Sequence, residues 1–416
     1  MYNTNFLSLQ SVDAILSLVG EFLPLGKESA PLEEAYGRVL AADFLAGEDL
    51  PGFDRSSMDG FAVRARDVFG ASESSPALLD YVGECAMGAV PEKKLEPGQC
   101  MRIWTGGMLP QGADAVVMLE YSREAGPHQV ELTRPAAPCE NIIGRDEDAA
   151  EGQVLITAGS LLRPQEIGLL AALGETRVNV ARRPKVAVIS SGDEVLPVEE
   201  KPAPGQVRDV NTYSLAAFSV AAGAQAVSFG LVRDDPALLR RQIADAVEWG
   251  DVVLLSGGSS AGQRDYTVQA LSALQGCEIL AHGVAISPGK PLIMARLGEK
   301  SLWGLPGHVA SALVCAEVFI RPLIKALLGQ KPAPPVWSSQ LKAKLTRPVA
   351  SAPGRREYVR VSLQQPEEEG GPMLAKPVVG KSGLIATLVQ ADALVICPED
   401  QEGLAAGQIV NVHLLL

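Results

Sequence analysis

Between residues 184 and 329 the chain alternates two kinds of segment, and this alternation is its tightest constraint. KVAVIS (185–190) and DVVLLS (251–256) are short apolar runs that break off into Ser and Gly. Helical stretches lie between them. One runs from about Tyr213 to Ala222 and stops at Gly223, a natural C-cap position. Another, Pro236–Trp249, is entered through Asp234-Asp235-Pro236, with Asp as N-cap and Pro in the first turn. Gln225–Phe229 reads as a strand, Tyr266 starts a helix, GKPLIMARL and SLWGL supply more strands, and His308–Leu328 is a long apolar helix. Strand-helix alternation predicts a mostly parallel sheet with helices on both faces.

The flanks read differently. Residues 11–23 carry apolar side chains at helical spacing (Val12, Ile15, Leu16, Val19, Phe22, Leu23). From Leu50 to about Gly144 short β-like runs, such as Ala113–Leu119 and Gln129–Leu132, alternate with Gly and Pro clusters, as in a small all-β module. Residues 153–180 mix a strand (Val154–Thr157) with a helix after Pro164. Lys331-Pro-Ala-Pro-Pro335 is a stiff linker. Beyond it Tyr358–Leu363, Leu394–Cys397 and Ile409–Leu414 are strand-like, and the acidic 366–371 stretch reads as a hairpin tip. The expected division is 1–50 with 145–183, a mixed helical/β N-terminal part that is discontinuous; 51–144, a β module; 184–330, the α/β unit; and 331–416, a second β domain. At 416 residues, the upper end of two to four domains is expected.

Composition narrows function. With 36 basic and 49 acidic residues the net charge is −13, which gives no global attraction for phosphate backbones and argues against a nucleic-acid binder. No apolar run reaches the roughly 18 residues of a membrane span. The first basic residue is Lys27, so the start lacks the charged head of a signal peptide. The six scattered cysteines, without C-x-x-C, are expected to be reduced core thiols of a cytoplasmic protein. The four histidines show no ligand spacing.

Ligands of open parallel sheets bind at the carboxyl ends of the strands. The segments that follow the expected strands are Ser190–Glu194, Arg233–Asp235, Ser256–Gly262 with Asp265, Ser287–Pro291 and Pro306–His308. Three carboxylates (Glu194, Asp234, Asp265), a glycine loop and Lys290 thus converge on one edge. Backbone N–H groups of Ser256–Gly262 suit an anion. Carboxylates beside an anion call for a hard divalent cation such as Mg²⁺, which would polarise a phosphate. Each feature has a plainer alternative: a simple strand-to-helix turn for the glycine loop, helix N-caps for Asp234 and Asp265, and a solvent-exposed turn for Lys290. Spacing alone makes neither Asp54–Ala62 nor Arg102–Gly107 catalytic.

Together these segments resemble the molybdopterin molybdenumtransferase family, which is related to the C-terminal domain of gephyrin. The strongest pieces are Ser56-Ser-Met-Asp-Gly-Phe-Ala62, Thr105-Gly-Gly, Pro110-x-Gly-Ala-Asp-Ala-Val-Val117, Ser191-Gly-Asp-Glu194, Asp209-Val-Asn-Thr212, Arg233-Asp-Asp-Pro236, Ser256-Gly-Gly-x-Ser-x-Gly262, Asp265-Tyr-Thr267, Pro288-Gly-Lys-Pro291 and Gly304-Leu-Pro-Gly307. The resemblance covers nearly the whole chain. It implies a multidomain α/β plus β fold: a three-layer molybdopterin-binding α/β domain, two β-rich modules of which the C-terminal one is a barrel, and a mixed N-terminal linker domain. It implies a cytoplasmic homodimer that acts on adenylylated molybdopterin and molybdate, inserts the metal and releases AMP with a divalent cation. Other proteins of molybdenum cofactor biosynthesis are candidate partners. By resemblance Glu194, Asp234 and Asp265 bind the metal or the pyrophosphate side of the substrate. Asp59 and Thr105 come across the dimer. Ser256, Gly257, Gly258, Ser260 and Gly262 hold the substrate. Lys290, Pro291, Pro306, His282, Arg355 and Ser382 surround the oxyanion.

The chain also departs from the family pattern. His282 and Ser287 stand where lysines are usual, His308-Val309 replaces Asn-Pro, and Ile143 replaces an arginine, for which Arg145 is a candidate substitute. Each lost charge-assisted hydrogen bond costs about 1.5–3 kcal/mol, so two would weaken binding roughly a hundredfold. These losses keep two further readings open: a binding or scaffold protein without turnover, and an enzyme for another oxyanion such as tungstate. ATP-dependent adenylylation, the chemistry of related single-domain proteins, is disfavoured by the four-domain length.

Overall fold

The computed structural model describes residues 9–257, 266–330, 341–366 and 370–415. Its centre is a six-stranded sheet: β1 (Lys185–Ser191), β2 (Gln225–Val232), β3 (Val252–Ser256), β4 (Cys277–His282), β5 (Ile293–Leu297) and β6 (Lys300–Leu305), in the order β2-β1-β3-β6-β5-β4. β1 pairs in parallel with β2 and β3, and β3 with β6, while β5 runs antiparallel to both neighbours. Only β5 is therefore reversed, and the mostly parallel expectation holds. Val186 and Val188 join a core with Leu215 of α1 (Asn211–Ala221) and with Phe319 and Leu323. Ala187 and Ile189 face the other way, toward Leu239 and Ile243 of α2 (Pro236–Trp249) and Leu271 of α3 (Tyr266–Ser272). Strand periodicity thus sorts alternate residues of β1 into two helix layers.

The expected helix 308–328 is present with one irregularity. Val309–Cys315 and Arg321–Leu327 are α-helical, and Ala316–Ile320 between them is a wider π turn. Pro322 has no N–H for the preceding turn, which favours the local widening. The Arg321 guanidinium reaches Glu317 at 2.7 and 2.8 Å, both side chains are buried, and Phe218 lies 4.7 Å under the guanidinium.

The C-terminal strands close on themselves. Arg356–Gln364, Met373–Pro377, Lys342–Leu345, Ile409–Leu414 and Ala393–Cys397 pair in that order, and the last returns to the first. The result is a five-stranded barrel filled by Val361, Ala375, Val395 and Val412. The strands flanking the acidic stretch pair antiparallel, as a hairpin requires, although 367–369 lie outside the described residues. One expectation is corrected here. Ile286–Ser287 is not a strand of the central sheet but pairs in parallel with Arg356–Glu357 of the barrel. The run is too short to carry a periodic signal, and its partner lies 70 residues away.

The β-rich stretch after residue 50 forms a six-stranded sheet of Gly60–Val63, Ala77–Glu84, Gln99–Ile103, Ala115–Met118, Ser122–Gly126 and Gln129–Leu132. Lys27–Pro31 pairs with Arg177–Ala181, and Phe44–Leu45 with Val154–Ile156, so distant segments meet on either side of that module. Helix Val12–Val19, capped by Ser11, buries Val12, Ile15 and Val19 in the core of the central sheet. Arg356 of the barrel then ties it to that helix, with bidentate contacts to Asp13 of the helix and to Glu399 of the barrel at 2.8–3.0 Å. Four cysteines are buried as expected, whereas Cys139 is exposed in a left-handed turn and Cys277 is half-buried at the edge strand; all six are free. Among the described residues no helix is long and apolar enough to cross a membrane.

Removing one partner of a buried ion pair strands the other charge. Glu317→Ala should lower stability by about 3–5 kcal/mol, read from urea unfolding by fluorescence of buried Trp303, whereas Glu317→Leu combined with Arg321→Met should recover most of that loss.

Candidate functional site

The connection after β1 crosses one face of the sheet and that after β3 crosses the other. Loops at the carboxyl ends of these neighbouring strands therefore diverge, and a crevice opens between them. A cleft of about 860 Å³ lies there, lined by Ser190, Ser191 and Glu194 after β1, Ser256 and Gly257 after β3, Asp209 and Asn211 at the start of α1, and Pro291, Pro306, Gly307 and His308. β5 runs backwards, so its amino end brings Pro291 to the same edge. Gly383 and Ile385 of the barrel close one side. Gly257 has φ +102°, and a Cβ there would fall 2.0 Å from the Ser191 carbonyl oxygen. The position admits only glycine because two strand ends converge.

The acidic groups sit to one side of this cleft. Asp235, not Asp234, caps α2, its Oδ1 accepting from Ala237 and Leu238 N–H at 2.7 and 3.0 Å. The N-cap alternative for Asp234 is therefore excluded. Its Oδ1 is shut from solvent without a hydrogen-bond partner. Burial, then the charges of Asp193 and Glu194, push its pKa up, against a weaker opposing contribution from the Asp193 backbone N–H. Asp265 lies outside the described residues, as do Gly258, Ser260 and Gly262. Among the described residues no three acidic, His or Cys side chains cluster closely enough to hold a metal alone.

Of the anion candidates, Pro291 and Pro306 line the cleft, whereas Lys290, Arg355, Ser382 and His282 are not among its lining residues. Lys290 is exposed, and its carbonyl accepts from Val284 N–H at 2.9 Å. Arg355 is exposed immediately before the barrel strand that pairs with Ile286–Ser287. Ser382 Oγ lies 3.2 Å from His308 Nδ1, and its carbonyl accepts from Ala310 N–H at 3.0 Å. His282 ends β4, in register with Ile293. Ser287 Oγ faces Glu357 at 3.5 Å. Arg145, the candidate substitute for the lost arginine, is exposed, and its guanidinium pairs with Asp49 at 2.6 Å. Ile143 is paired with Arg55 on a two-residue ladder.

Asp59 and Thr105 lie on the separate β module and do not line the cleft. They do belong together: Asp59 Oδ1 accepts from Thr105 N–H at 2.8 Å and from its hydroxyl at 2.7 Å. Those bonds, with Arg102 nearby, hold the Asp59 carboxyl below its usual range. Sequence reasoning missed a buried network beside the cleft. Asp209 Oδ1 accepts from the Ser190 hydroxyl (2.9 Å) and Thr212 N–H (3.1 Å), and Ser190 lies 2.8 Å from Thr212 Oγ1. The available signal was an Asp three residues ahead of a Thr at a helix start.

Comparison with known proteins agrees with this architecture. Three family profiles match in order: "MoeA N-terminal region (domain I and II)" over residues 9–174, "Probable molybdopterin binding domain" over 187–326 and "MoeA C-terminal region (domain IV)" over 342–415. Molybdopterin molybdenumtransferase of Bacillus subtilis is 34% identical over 410 residues, covering 97% of this chain and 94% of the relative. The chain belongs to the molybdopterin molybdenumtransferase family. The Nostoc member is 35% identical over 92% of this chain and 88% of its own. A solved structure of the Pyrococcus horikoshii molybdopterin biosynthesis MoeA protein aligns with TM-score 0.84 at 28% identity, over 98% of this chain and 100% of that one. Another from the same organism gives 0.80 at 34% identity, over 98% and 99%. The expected multidomain α/β plus β fold is that of the family.

The Asp234 environment has a pH consequence. A carboxyl with a raised folded pKa disfavours the charged form. Its contribution to stability is full below the ordinary carboxylate value and is lost as pH rises through the folded value. Asp234→Asn should therefore melt higher than the wild type at pH 7 in metal-free buffer, and the difference should shrink as pH falls toward about 4 and vanish below it, measured by thermal unfolding.

Proposed function

We propose that this chain completes a molybdenum cofactor by inserting molybdate into adenylylated molybdopterin, with release of AMP. The observation that carries this reading is the cleft at the divergent ends of β1 and β3. There serine hydroxyls and a glycine-lined strand end meet an acidic side, and Pro291, which follows the exposed Lys290, lines the same space. Its volume, about 860 Å³, falls within the range of pockets that enclose a ligand of drug size.

Each group has a task. Ser256 and Gly257, with Gly258, Ser260 and Gly262, hold the phosphate-bearing substrate through hydroxyl and backbone N–H donors. Glu194, Asp234 and Asp265 would hold a divalent cation, most simply Mg²⁺. The unpartnered, buried Oδ1 of Asp234 beside two other carboxylates fits a hard cation. When bound, that ion supplies Lewis-acid polarisation of the phosphate. The P–O bond between the adenylyl and pterin phosphates breaks, an oxygen nucleophile takes its place at phosphorus, and AMP leaves. Lys290 and Arg355 supply the cationic side of an oxyanion site, and Ser382, Pro291, Pro306 and His282 complete its wall. A doubly charged oxyanion matches one ammonium, one planar guanidinium and a hydroxyl.

Asp59 and Thr105 fit this scheme as groups delivered by a second copy, because they are exposed, bonded to each other and absent from the lining of their own chain's cleft. The homodimer, the cytoplasmic setting and the four-part division (1–50 with 145–183, 51–144, 184–330, 331–416) belong to the same proposal. Free cysteines support the setting. Separate cores within the β module, within the barrel and within residues 30–40 with 156–180 support the division.

The direct test incubates the protein with adenylylated molybdopterin, molybdate and Mg²⁺. AMP is expected, and no AMP where a family member succeeds under the same conditions would overturn the reading. Shared sites make a second prediction. Asp59→Asn and Asp234→Asn should each be inactive alone. Co-expression should restore about a quarter of wild-type activity, because half the dimers are mixed and each mixed dimer keeps one intact site.

A further inference from the structure

Asn211, the first residue of α1, makes two bonds with one atom. Its Nδ2 donates to Ser256 Oγ at 2.6 Å and to the Gly307 carbonyl at 2.8 Å. It thereby spans the loops after β3 and β6 across the mouth of the cleft that all three residues line. A carbonyl only accepts, so the amide NH₂ must be the end that faces Gly307. Oδ1 then lies on the other side, shut from solvent and without a hydrogen-bond partner. A flipped amide would set two oxygens against each other at Gly307.

This geometry dictates the proton of Ser256. A hydroxyl whose oxygen accepts from Asn211 keeps its own hydrogen for a different acceptor. Ser256 is 3% exposed, at the end of β3 where the cleft begins. We propose that Asn211 is a positioning residue. It presents the Ser256 hydroxyl as a donor to an anionic oxygen of the ligand, and it fixes the Pro306–His308 turn opposite that hydroxyl. The inference rests on the reading of the cleft as a site for a phosphate-bearing pterin. Asn211 acts on the ligand through Ser256 and is not itself assigned a reacting atom.

A binding cycle tests it. Wild type, Asn211→Ala, Ser256→Ala and the double variant are titrated with adenylylated molybdopterin by calorimetry at fixed salt and Mg²⁺, and AMP release is followed in parallel. Asn211→Ala should weaken binding about tenfold and raise KM by a similar factor with kcat little changed. In the Ser256→Ala background the same substitution should cost less than about threefold. Asn211→Asp should bind worse than Asn211→Ala, because a carboxylate takes the serine proton and repels the Gly307 oxygen. Equal losses in both backgrounds, or Asn211→Asp binding as well as Asn211→Ala, would overturn the proposal. Should Asn211→Ala not fold, Asn211→Ser, which keeps a short donor, replaces it in the comparison with Asn211→Asp. If the wild type binds but releases no AMP, the proposed reaction falls while the cycle still judges Asn211. If the wild type does not bind, both fall.

Discussion

One strand covered from both sides governs the rest of the molecule. β1 has Val186, Ala187, Val188 and Ile189 without exposed surface, two facing each helix layer. Burial of such side chains is worth about 1.5–3 kcal/mol each, so both layers must be present. Helices that approach from opposite faces force the connections after β1 and β3 apart. The cleft is the space left by that divergence. Its lining follows from chain topology before any residue is chosen for chemistry.

The electrostatics then have a clear direction. A chain of net charge −13 places Asp193, Glu194 and Asp234 beside a cleft that must admit an anion. Burial and mutual repulsion act on Asp234 together, and no hydrogen bond relieves its buried oxygen. Such an arrangement is poor for stability and sensible for holding a cation. The cations proposed to hold the anion, Lys290 and Arg355, are exposed, and water lowers the cost of their charge.

The sequence was most legible where periodicity and capping agree. β1, β3 and α2 appear within a residue or two of their expected spans, because apolar runs and the Asp235-Pro236 entry are local signals. Several family motifs, among them Ser191–Glu194, Asp209–Thr212 and Gly304–Gly307, contribute residues that line the cleft. Three things were not legible. Ile286–Ser287 belongs to the barrel because of a pairing 70 residues distant, which no local pattern encodes. Arg145 looked like a free cation, yet in the fold it pairs with Asp49, 96 residues away. Asn211 carries no charge and attracts no notice until the strand ends that it bridges are seen side by side.

The closed barrel leaves one short backbone edge for another segment, and Ile286–Ser287 fills it. The turn that carries Lys290 begins at the very next residue. Mechanically, this makes the lysine turn an arm of the barrel as much as of the central sheet. A shift of the barrel on its Arg356 anchor would reach Lys290 through two ladder residues. Under the oxyanion role proposed for Lys290, that backbone link would couple the site to the barrel.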